Sequence, residues 1–141
     1  MIEMLREAIA ANQAEAATYS NGVQVWMKIM ALSFLSSVFF VVWKSGARWI
    51  LAALIVNVTG LILIRALYPD LSRTAIGTGV HLIFWSLALL MIWRPGARSR
   101  REAEFSGATG RIYLVWLIVV SAIMSTSLIL DATMAISWIT Q

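Results

Sequence analysis

Cysteine is absent from this chain of 141 residues, which excludes disulfides, thiolate chemistry and iron–sulfur clusters. Histidine occurs once, as His81, and charged residues make up 13% of the chain. No H-E-x-x-H, no pair of carboxylates on one helical face within the apolar runs, no glycine-rich phosphate cradle and no nucleophile elbow occurs. A serine relay through His81 and Asp131 would lack any activating motif around the serine. A lone histidine with scattered acids is a poor metal site. These absences point away from an enzyme, and no cofactor or metal is expected.

What the chain has instead is apolar length. Hydrophobic residues make up 60% of it, beyond the range of soluble domains. Four runs account for this: Val23–Trp43, Trp49–Leu67, Ala75–Trp93 and Ile112–Leu130. Each approaches the roughly 20 residues that cross a hydrocarbon core of about 30 Å. They are apolar nearly all round, unlike the one-sided helices of a soluble bundle. The expected fold is therefore all-α, an integral membrane four-helix bundle in contact with the lipid bilayer. No cleavable signal peptide is expected, because Glu3, Glu7 and Glu15 outnumber Arg6 before the first run.

Two short stretches nearly repeat each other. Trp43-Lys44-Ser45-Gly46-Ala47-Arg48 returns as Trp93-Arg94-Pro95-Gly96-Ala97-Arg98, and Leu32, Phe34 and Ser36 match Leu82, Phe84 and Ser86. After an insertion, Arg48-x-x-Leu51-x-x-Leu54-Ile55-Val56 reappears as Arg111-x-x-Leu114-x-x-Leu117-Ile118-Val119. A tandem duplication of one helical hairpin explains both matches. Convergence of two interfacial loops, where Trp, Arg and Gly all belong, is the alternative.

The expected organisation is an N-terminal surface helix over 1–22, a first hairpin over 23–67 and an outer loop over 68–74. A second hairpin over 75–130 then carries a cytoplasmic loop over 94–111, and a tail follows over 131–141. Asn21-Gly22 is expected to stop the first helix. Lys44 and Arg48 stand without acids in the first connection, and Arg94, Arg98, Arg100, Arg101 and Arg111 outnumber Glu102 and Glu104 in the third. The middle connection balances Arg73 with Asp70. Counting positive charges puts the first and third connections in the cytoplasm and both termini outside a bacterial-type inner membrane. The basic pI of about 10.1 is then an orientation signal, and no nucleic-acid partner is expected.

Depth can be counted at about 1.5 Å per residue from the cytoplasmic tryptophans. Lys28 lies roughly 22 Å along its helix, Arg65 roughly 24 Å and His81 roughly 18 Å. Asp131 closes the fourth run at the same outer level, and Asp70 lies in the adjoining loop. Lys28, Arg65, Asp70, His81 and Asp131 therefore form a candidate outer polar cluster, with Lys28 and Arg65 facing the two acids above His81. Charge in lipid tends to find a partner inside the bundle; the alternative for Lys28 and Arg65 is snorkelling to the headgroups.

His81 stands in Gly77-x-x-x-His81-x-x-x-Trp85, with a small residue leaving room above the imidazole. Such a ring suits a proton relay, a gate or a haem ligand, although one histidine per chain cannot complete a bis-histidine site. The alternative is a hydrogen-bonded structural histidine. Deeper polar candidates are Ser36, Asn57, Ser86, Ser121 and Ser125. The serines suit close helix packing, and Asn57 suits interhelical bonding or pore lining.

Two functions from different classes fit this pattern. One is a small channel or transporter for an ion or small solute, entered through an outer charged vestibule. The other is an accessory or assembly subunit of a larger membrane complex. A homo-oligomer or a larger complex is expected in either case, with seven tryptophans serving interfacial belts or docking faces.

Overall fold

The structure, a computed structural model, describes residues 1–96 and 102–140. Ala97, Arg98, Arg100 and Arg101, which carry part of the repeat and of the third connection's charge, lie outside the described residues. The chain is all-helical, with no strand among the described residues. Four of its helices are long and apolar enough to cross a membrane: Asn21–Phe39, Ser45–Leu67, Arg73–Trp93 and Gly107–Ile139.

Helix α1 (Ile2–Ala17) lies against the later helices, burying Ala8 and Asn12. It ends at Thr18, and Ser20 caps the next helix by accepting from the Val23 amide at 3.4 Å. Asn21 and Gly22 thus open α2 (Asn21–Leu35) rather than stop α1. A serine with an extended backbone is the better N-cap, because its hydroxyl reaches an orphan amide one turn on.

The first long helix tightens into a 3-10 turn at Ser36–Phe39, and the chain reverses by Lys44. Trp43 therefore lies in the turn, 73% exposed. Helix α3 (Ser45–Leu67) starts at once, four residues before Trp49. The third long helix is α4 (Arg73–Val80), a π-helical turn at His81–Trp85 and α5 (Ser86–Trp93). A π turn holds one extra residue, which rotates everything beyond it by about 100° relative to a regular helix.

A short helix α6 (Glu102–Phe105) leads into α7 (Gly107–Ile139). Gly107 adopts φ +70° at this corner, a conformation that only glycine takes without strain. At Gly110 a Cβ would stand 2.3 Å from the Phe105 carbonyl carbon, so the corner closes only over glycine. Helix α7 then runs well past Leu130, because nothing from Ala132 to Ile139 breaks it: neither Gly nor Pro occurs there. Asp131 lies inside a helix, not at its end.

The core joins α2, α3, α5, α7 and the π turn through Phe34, Ile50, Trp85, Ile92, Tyr113, Leu117, Val120 and Met124. Aromatic rings line it, with Phe34 4.7 Å from Trp85 and Phe40 5.3 Å from Tyr113 between centroids. Large apolar side chains on all four long helices point outward, among them Leu32, Ile55, Leu90 and Ile129.

Candidate functional site

The polar residues toward the end that α1 covers separate into two constellations. In the first, Glu15 near the end of α1 serves the start of α4. Its carboxylate accepts from the Arg73 amide at 2.9 Å and the Thr74 amide at 3.3 Å, and pairs with the Arg65 guanidinium at 3.1 Å. The Tyr19 hydroxyl reaches both Glu15, at 3.3 Å, and Thr74, at 2.9 Å. Arg73 donates to the Asn12 carbonyl at 3.0 Å, while the Asn12 amide donates to the Leu61 carbonyl at 2.9 Å. Arg65 also donates to the Leu71 carbonyl. Burial works against ionising Glu15, but the two amides, then Arg65 and Tyr19, outweigh it and hold its carboxyl below the ordinary 4.5.

The second constellation is His81 with Asp131, across the α4–α5 and α7 helices. His81 Nδ1 lies 2.7 Å from Asp131 Oδ2, and the Thr78 hydroxyl donates to the other carboxylate oxygen at 3.2 Å. Both side chains are largely buried, at 14% and 13% exposure. The imidazole stacks on Trp85, 3.7 Å between centroids at 25°. The π turn spans His81 to Trp85, so the stacked pair are its first and last residues.

Asp131 therefore takes His81 and Thr78 as partners rather than Lys28. Lys28 is exposed on α2 and makes no hydrogen bond or ion pair among the described residues. Arg65 turns to Glu15 instead of Asp70, which is exposed. The physical reason is reach: an aspartate inside a helix is met by groups at its own level, and His81 and Thr78 lie one turn apart on the facing helix.

Deeper in, three indole N–H groups hold the helices together. Trp26 donates to Ser127 at 3.1 Å, Trp93 to Ser121 at 2.9 Å and Trp116 to Ser36 at 2.8 Å. An indole nitrogen among apolar helices needs such an acceptor, so these tryptophans bridge helices. Ser125 bonds its own helix at the Ser121 carbonyl, 2.8 Å away, and Ser86 is exposed. Asn57 is half-buried, and its Oδ1 has no hydrogen-bond partner among the described residues. Ser37 Oγ, Ser45 Oγ and Trp85 Nε1 share that condition.

At the opposite end, Glu104 repeats the role of Glu15. Its carboxylate accepts from the Ser45 amide at 3.1 and 3.3 Å, at the start of α3. Lys44 donates to the Glu104 carbonyl and lies 5.2 Å from the Tyr113 ring centre. Arg48 donates to the Val41 and Val42 carbonyls at 2.9 and 2.8 Å, closing the first turn. No group of His, Asp or Glu side chains among the described residues is arranged to hold a metal ion.

Sequence reasoning singled out His81, Trp85 and Asp131 but missed Glu15, Arg73 and Thr78. Glu15 did carry a signal. An acid in the last turn of a helix opposes that helix's own dipole, so its partner had to lie elsewhere. No protein family, curated protein or solved structure matches this chain.

Proposed function

We propose that this chain is a non-enzymatic integral membrane protein, a small channel or transporter for an ion or small solute. It crosses a bacterial-type inner membrane four times with both termini outside. Four long apolar helices and their outward-pointing apolar side chains support the membrane reading. The charge of the connections supports the orientation. The observation that carries the transport reading is the 2.7 Å contact between His81 and Asp131. Ionisable groups within apolar helices mark ion paths and relays, since lipid penalises them everywhere else.

The tandem hairpin belongs to the same reading. Arg48 and Arg111 both stand in the first turns of long helices, and their matched neighbours Ala47 and Gly110, then Ile50 and Tyr113, are all buried. The two connections themselves differ, a tight turn in one and α6 in the other.

A second reading, an accessory subunit of a larger complex, draws on small residues of α4 and α5. Gly77 and Gly79 have open space where a Cβ would be, and Ser86 is exposed. Small residues of this kind let another helix approach closely, from a second copy or a larger partner. Purified protein in lipid vesicles, tested against a panel of cations, anions and small neutral solutes, separates the two. Passage of one class above empty vesicles is expected. If nothing passes and the protein co-purifies with a larger membrane partner, the subunit reading stands instead.

A further inference from the structure

We infer that the ion is the proton, taken up on His81 and passed toward the cytoplasmic face along the buried polar atoms of Trp85, Asn57, Ser37 and Ser45. The inference rests on the transport reading and names its substrate.

Histidine is the side chain whose ordinary proton exchange lies nearest neutral pH. A carboxylate can only accept, so with Asp131 ionised Nδ1 is the donor in their 2.7 Å contact and Nε2 is left as the exchanging atom. Loading forms an N–H bond at Nε2, and the imidazolium then lies between a carboxylate and the face of Trp85, both of which attract a cation. Release breaks the same N–H bond and hands the proton to water on the inner side. A metal cation would need a shell of oxygen ligands, and the cluster offers only Asp131 and Thr78.

The charged groups on the elements packed against the π turn are few. Arg65 of α3 and Arg73 of α4 are engaged by Glu15 and Asn12, Arg48 donates to the Val41 and Val42 carbonyls at the other end of α3, and Arg111 lies at the far end of α7. Lys28 of α2 is exposed, and α5 has no charged residue. Asp131 is therefore the charged group in contact with the imidazole.

Inward of His81, buried polar atoms continue. Trp85 Nε1, Asn57 Oδ1, Ser37 Oγ and Ser45 Oγ are all buried without a partner among the described residues. Helix α3 carries two of them and packs against both the 3-10 turn that holds Ser37 and the π turn that holds Trp85. All four therefore stand on α3 or on turns packed against it. Buried polar atoms in folded proteins are met by partners or by ordered water. One donor, one acceptor and two hydroxyls that do both are the groups that hold a file of water.

The test uses full-length protein in vesicles loaded with a pH-sensitive dye, with the membrane potential clamped. Wild-type protein should carry protons, and His81→Gln, whose amide cannot take one up, should lower that flux about tenfold or more. Ser37→Ala should lower it several-fold. Trp85→Phe, which keeps the stacked ring and removes the N–H, should do the same. Retention of folding is checked by gel filtration and circular dichroism. A readout independent of flux is exchange of the Trp85 indole proton in deuterated water, assigned by its loss in Trp85→Phe. Rapid exchange supports a wet path, and full protection overturns it. Proton flux unchanged in His81→Gln overturns the inference, as does passage of sodium or potassium without protons, which leaves the transport reading intact. Passage of nothing at all sinks both.

Discussion

A carboxylate near the end of its own helix faces the wrong pole of the helix dipole, and Glu15 resolves this by serving a different helix. Two amides at the start of α4 and the Arg65 guanidinium gather on it. Its folded-state value lies below 4.5, so the stability it supplies is fully present above that pH and is lost as the pH falls through the lower folded value. Docking of α1, read as a spin-label distance between residues 4 and 66, should hold at neutral pH and loosen only in acid. Glu15→Gln should weaken docking by about 0.5–2 kcal/mol, the range for a lost cap, and flatten the acid dependence. At the His81–Asp131 contact, Asp131→Ala should cost about 1.5–3 kcal/mol in reversible unfolding, as for a hydrogen bond to a charged group. Lys28→Gln, at an exposed side chain with no partner among the described residues, should change stability little. Equal losses at both positions would mean that Lys28 reaches Asp131 after all.

Helix ends, more than helix interiors, separate this molecule from what its sequence suggests. Apolar length alone locates all four long helices, because some 20 apolar residues have few other uses. Their boundaries follow from local chemistry that hydropathy does not see. Ser20 caps α2, Glu104 reaches across to the start of α3, and Gly107 turns the corner into α7. His81 and Asp131 were legible as candidates because they are rare ionisable residues within or at the end of apolar runs. Their pairing was not, since counting depth gives a level along each helix but not the face it presents. The π turn at His81–Trp85 adds a rotation that no periodicity in the sequence announces. Gly110→Ala makes the tightest test at this scale. Its Cβ would meet the backbone of Phe105, so a loss of about 1–3 kcal/mol is expected from overpacking. The Lys44 and Glu104 contacts should loosen with it, read as faster exchange of the Ser45 amide. Trp116→Phe, by contrast, removes one interhelical hydrogen bond and should cost about 0.6–1.7 kcal/mol.

At the scale of the whole molecule, polarity is sorted by side. The ionisable groups of the long helices that are not exposed, namely Arg65, Arg73, His81 and Asp131, all stand toward the end that α1 covers. Lys44, Arg48 and Glu104 gather at the other end. The transport reading requires the first end to face outward. A chain without cysteine permits a direct check, because each introduced thiol is unique. Single cysteines at the exposed positions Glu3, Asp70 and Thr140, and at Trp43 and Glu102, can be labelled with a membrane-impermeant reagent in intact cells and in inverted vesicles. Positions 3, 70 and 140 should react from outside, and positions 43 and 102 only from the cytoplasmic face. Labelling of position 102 from outside would reverse the orientation and remove the polar cluster from the side where the ion is taken up.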